Sequence, residues 1–183
     1  LSFFMFTYFT DRDGKMQLES LAQSGFDPLS RTCRFMLTEE AHHMFVGETG
    51  VGRTIQATAE AMNRAGIADP YDINAIRDLG VIDLPTIQKK LNLHYSLSLD
   101  LFGQEVSTNA ANAFNAGIKG RYMEHRLEDD HKLSNETYDV KMIKDNHIIT
   151  EQMPALNAIN MRLRDDYVND ASGGLNRWNR TLK

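Results

Sequence analysis

The chain has 183 residues, 42% of them hydrophobic, which is enough for one domain with a sizeable core. A formal net charge of −5 with no basic block argues against nucleic acid as the main partner. A lone cysteine, Cys33, excludes an internal disulfide framework and suits a reducing cytoplasm.

The opening run "LSFFMFTYFT" is apolar but too short for a membrane span, and it lacks the basic start and small-residue cleavage site of a signal peptide. It begins without Met and without a cap, which predicts a piece of a longer protein. Helix 1 is expected over residues 2–23. "SGFDPLS" ends it, and Asp27 and Pro28 open helix 2, which is expected to run to about Gly47. "GETGVG" should interrupt, with a further helix over "RTIQATAEAMNRAG". A connector with one short helical piece follows. Helix 3 is expected from about Pro85 to Val106, and helix 4 from the "STN" break to about Leu133. "TYDVKMI" and "HIITEQM" flank "KDN" and read as a β-hairpin over 137–153. A last helix is expected over about 154–172. The fold class is mainly α: a four-helix bundle over about 1–133, with a small hairpin and a C-terminal helix.

Helix 2 contains "FMLTEEAHHMFVG". Glu40 and His43 share a face with Met36, Cys33 and Leu29, so this pair sits on an otherwise apolar stripe. A carboxylate and an imidazole at i, i+3 lie one turn apart and can ligate one ion. A single E-x-x-H means little, because 25 acids in 183 residues put an acid at that spacing before about one histidine in seven. Helix 4 repeats the spacing with Glu128 and His131 in "YMEHRLEDDHKL", on a segment polar nearly all round. Antiparallel pairing then matches levels. If helices 1 and 2 turn near residue 25, Glu40 meets the "TDRDGK" segment, which offers Asp11 and Asp13. On helix 3, Asp100 stands alone among apolar residues in "YSLSLDLFG", and such an acid is costly to bury unless paired or on a metal. Two single carboxylates and two E-x-x-H pairs are the ligand layout of di-iron and di-manganese carboxylate bundles. Glu39 would then orient a ligating histidine on a facing helix, and His42 reads as an ordinary packed residue.

"FTDRDGKMQLESLAQSGFDPLSRTCRFMLTEEAHHMFVGETGVGR" closely resembles the benzoyl-CoA 2,3-epoxidase family, and "LDLFGQEVSTNAANAF", "EDDH" and "PALNAINMRLRDDY" are similar to it too. The resemblance implies a ferritin-like bundle with two iron ions and O₂ as co-substrate. It implies epoxidation of the ring of benzoyl-CoA, with electrons from a separate FAD and iron–sulfur reductase that uses NADPH. Carried over by position, it implies a catalytic set of Glu40, His43, Asp100, Glu128 and His131. Glu40 is preferred to Glu39, since such oxygenases often place an acid just before the ligand. Asp11, on the face of Leu18 and Ala22, is the chosen sixth ligand, where this type of bundle usually has Glu.

Phe3, Phe4, Phe6, Tyr8 and Phe9 read as core packing, or as the wall of an aromatic-substrate pocket. "GETGVG" is no phosphate loop, because it lacks the following Lys-Ser/Thr and a preceding strand. Lys15, Arg34, Arg53 and Arg121 are candidates to meet coenzyme A phosphates, and nothing in the sequence separates them from ordinary surface charges. Asn109, Asn112 and Asn115 either cap helix ends or line a polar pocket. A radical-generating subunit or an iron store would use a similar metal set, although the connector and hairpin suit a self-assembling store less well. A metal-free helical interaction module is the competing class, and metal content separates it from the others.

Overall fold

The computed structural model describes residues 1–101 and 137–182. Its elements are α1 (Ser2–Leu21), α2 (Asp27–Ala65), α3 (Ile73–Asp78), α4 (Leu84–Leu101), β1 (Thr137–Lys144), β2 (His147–Pro154) and α5 (Ala155–Arg180). The chain is mainly α, with one antiparallel hairpin followed by a C-terminal helix. No described helix is long and apolar enough to cross a membrane.

Local chemistry sets most of the boundaries. Gly66 adopts φ +69° and stops α2, with Ile67 N–H donating to Met62 O at 3.0 Å, a glycine-dependent C-terminal motif. Asp72 caps α3 by accepting from the Ala75 N–H at 3.1 Å. Asp83 accepts from the Thr86 N–H at 2.8 Å at the start of α4, and its other oxygen takes the Arg77 Nε–H at 2.7 Å. In the hairpin, Lys144 pairs with His147 across Asp145 (φ 49°) and Asn146 (φ 66°). Two successive positive-φ residues make the tight turn that matches strand twist.

Two elements differ from the sequence expectation. α2 runs unbroken from Asp27 to Ala65, through "GETGVG". A Cβ at Gly47 would lie 2.6 Å from Tyr8 N and 2.7 Å from Phe4 O, so this glycine lets α1 come close and does not end the helix. α5 likewise continues past 172 to Arg180, because Gly174 is where the Tyr8 side chain packs. The expected helix 4, the "STN" break, and Asn109, Asn112, Asn115 and Arg121 lie outside the described residues.

The described chain forms two compact units. The first combines Leu1–Gly14, Glu39–Leu101 and Tyr167–Lys183. Its core holds Met5, Tyr8, Phe9, Val51, Ile55, Ile76, Ile87, Tyr167 and Trp178. Helix carbonyls satisfy the polar ends of the large rings. Tyr8 Oη–H donates to Ala171 O at 3.1 Å, Tyr167 Oη–H to Phe9 O at 3.0 Å, and Trp178 Nε1–H to Glu48 O at 3.0 Å. These three bonds tie the end of α5 to α1 and α2. The second unit contains Lys15–Thr38 and the described residues 137–166. Leu18 and Ala22 of α1 pack there with Cys33 of α2, ringed by Leu21, Leu29 and Leu37.

Candidate metal centre

The site lies in the first unit, where α1 and α2 run antiparallel. Glu40 and His43 project one turn apart from α2, and Asp11 meets them from α1. His43 Nδ1 is 3.6 Å from Asp11 Oδ2 and 3.8 Å from Glu40 Oε2. These separations exceed a hydrogen bond. They fall within the span of two ligands on one ion, about twice a bond of roughly 2.1 Å. One donor atom from each residue lies within 4.8 Å of the others.

Electrostatics mark the same place. The Asp11 and Glu40 side chains are each 16% exposed. Burial pushes the Asp11 carboxyl above its ordinary value, and His43 pulls it part of the way back. Burial also raises Glu40, and so do the charges of Asp11 and Glu39, against the pull of His43. Glu40 Oε2 is buried and has no hydrogen-bond partner among the described residues. A buried carboxylate oxygen that accepts no hydrogen bond and faces a second carboxylate is unfavourable on its own, and a cation between them removes the conflict. Two carboxylates and an imidazole are a donor set that suits iron. The residues present therefore fit a metal ion.

The other sequence candidates fall as follows. Asp13 is buried, two residues from Asp11 on α1, and is not part of the cluster. Glu39 and His42 are exposed. Asp100 lies in the last turn of α4, and its side chain is not among those described. Thr10 Oγ1 and Ser98 Oγ are 3.4 Å apart, so α1 and α4 touch one residue before Asp11 and two before Asp100. Glu128 and His131 lie outside the described residues. The aromatic run on α1 divides: Tyr8 and Phe9 are core, Phe4 lines a cavity, and Phe3 and Phe6 are exposed.

Sequence reasoning missed Arg12. It is 5% exposed and reaches Asp170 on α5 at 2.6 Å, with its guanidinium 4.3 Å from the centre of the Tyr8 ring. It fixes the turn of α1 that carries Asp11. In "TDRDGK" only the aspartates stand out in sequence, as ligands, and an arginine between two acids carries no sign of what it meets on another helix.

No family model matches the chain. Among curated proteins it is 57% identical over 180 residues, 98% of its own length, to benzoyl-CoA oxygenase component B of Aromatoleum evansii. The chain is a relative of that oxygenase component. It spans 37% of that protein's length.

Proposed function

We propose that the chain is part of a di-iron oxygenase that inserts one atom of O₂ across the 2,3-bond of the ring of benzoyl-CoA. The observation that supports it best is the Asp11–Glu40–His43 cluster, whose buried Glu40 oxygen accepts no hydrogen bond among the described residues. The identity to an oxygenase component supports the substrate class. In this reading Asp11, Glu40 and His43 hold one iron, and Asp100, Glu128 and His131 complete a six-ligand set in a ferritin-like four-helix bundle. Bound iron supplies the binding and reduction of O₂. Electrons come from a separate FAD and iron–sulfur reductase that oxidises NADPH, and the enzyme works in the cytoplasm.

The chain's own residues do the rest. Asp11 and Glu40, both above their ordinary pKa through burial, deprotonate to bind metal, and their charges then offset that of the ion. The Arg12–Asp170 pair and the Thr10–Ser98 contact hold the ligand-bearing turns of α1 and α4 in place, which fixes the separation of the ligands. The test is anaerobic iron loading of the full-length protein, followed by Mössbauer spectroscopy. The reading requires two irons per chain, magnetically coupled after oxidation. A protein that binds no iron, or only one uncoupled ion, rejects it.

A further inference from the structure

A cavity of about 550 Å³ lies in the same unit, between α1, α2 and the turn before α4. Phe4, Phe45, Val46, Ala57, Val81 and Ile82 make its walls apolar, and Arg53 stands among its lining residues. Its volume and lining are those of a small-molecule site. His43, Val46, Gly50, Arg53 and Ala57 recur at three- and four-residue spacing on α2, so cluster and cavity share one stripe of that helix. Arg53 is exposed and takes part in no ion pair among the described residues. A guanidinium with no ion-pair partner among the described residues, beside an apolar cavity, suits a ligand with a greasy body and an anionic end.

The geometry points to a thioester-arm site: the cavity takes the flexible amide arm of the acyl thioester, and Arg53 pairs with the phosphate at its far end. The inference rests on the oxygenase reading and assigns the part of the substrate that the metal cluster does not touch. Length decides for this ligand. From His43 to Arg53 is ten residues of α2, about 15 Å along the axis. The arm from thioester sulfur to first phosphate is a chain of about twelve bonds. That equals about four extended residues, roughly 14 Å. With the phosphate at Arg53, the sulfur and its aromatic acyl group arrive beside His43. A free aromatic acid is too short to touch both ends. The Thr54 hydroxyl, whose proton is given to Gly50 O at 2.9 Å, still offers lone pairs to an amide N–H of the arm.

The test uses full-length, iron-loaded protein and calorimetric titration with two probes, benzoyl-CoA and the short neutral thioester S-benzoyl-N-acetylcysteamine. Arg53→Gln, a surface substitution that keeps the fold, should weaken benzoyl-CoA about tenfold and leave the short thioester within twofold. Val46→Phe, which narrows the cavity between His43 and Arg53, should weaken benzoyl-CoA by at least tenfold with iron content unchanged. Unchanged benzoyl-CoA affinity in Arg53→Gln overturns the inference. So does equal weakening of both probes, or wild-type protein that holds two irons and binds no benzoyl-CoA. Loss of the two-iron centre with these affinity changes intact would instead overturn the metal reading and leave the arm site standing.

Discussion

Gly47→Ala and Gly52→Ala place the same methyl group in the same helix, and the structure assigns them different outcomes. Replacing Gly by Ala inside a helix gains about 0.8–1.0 kcal/mol of backbone propensity. At Gly52 the nearest atom to a new Cβ is Trp178 Cδ1 at 3.5 Å, ordinary contact, so the gain is kept. At Gly47 the new Cβ meets Tyr8 N at 2.6 Å, Phe4 O at 2.7 Å and Thr7 Oγ1 at 2.7 Å. Two of these are backbone atoms, so α1 itself must move. Overpacking of that kind costs about 1–3 kcal/mol, which leaves Gly47→Ala from near neutral to about 2 kcal/mol less stable. The contrast between the variants is then about 1–3 kcal/mol, read as a urea midpoint higher in Gly52→Ala than in Gly47→Ala at constant slope. Asp11 rides on α1 two turns from Phe4 and one from Tyr8, so the shift also carries it away from His43. Iron content should fall in Gly47→Ala and hold in Gly52→Ala. Equal stabilisation of both variants would refute the close approach of α1 to α2, and with it the placement of Asp11.

Replacing His43 by Ala should lower iron content, while His42→Ala should stay near wild type, because His43 belongs to the cluster and His42 does not; metal analysis of the purified variants checks the order. Asp83 provides a pH test. Burial works against its charge, but the bonds from Arg77 and Thr86 prevail and hold its carboxyl below the usual range. A lowered folded pKa gives stability that is full above the unfolded value of about 3.9 and is lost as pH falls through the folded one. Asp83→Asn should therefore cost about 1–3 kcal/mol at pH 7 and progressively less below about pH 4, measured by urea unfolding across pH. Tyr8→Phe removes the bond to Ala171 O and should cost about 1 kcal/mol with helix content unchanged.

Much of this was legible in the residues. Asp27-Pro28, Gly66 and the Asp145-Asn146 pair announce where elements begin, stop or turn, because each relies on local backbone geometry. Level-matching from a turn near residue 25 placed Asp11 opposite Glu40, because antiparallel helices keep count at a fixed rise. What failed was the reading of glycine. "GETGVG" reads as a break and about residue 172 as the end of the last helix, yet Gly47 and Gly174 are contact points for the α1 backbone and the Tyr8 ring. A glycine that breaks a helix and one that admits a neighbour are the same letter, and only the partner helix tells them apart. For the same reason Arg12 drew no notice in the sequence and Arg53 read as one basic residue among several. Their roles depend on what stands opposite them in space.

Iron titration of Asp11→Asn beside Asp13→Asn, in the full-length protein under anaerobic conditions, tests the metal centre most directly. Both substitutions keep side-chain size and remove one charge. Asp11 lies in the cluster, and Asp13 is buried away from it. The account predicts that Asp11→Asn drops from two irons per chain towards one, while Asp13→Asn keeps both and loses only stability. Two tightly bound irons in Asp11→Asn, or loss of iron in Asp13→Asn alone, would contradict it.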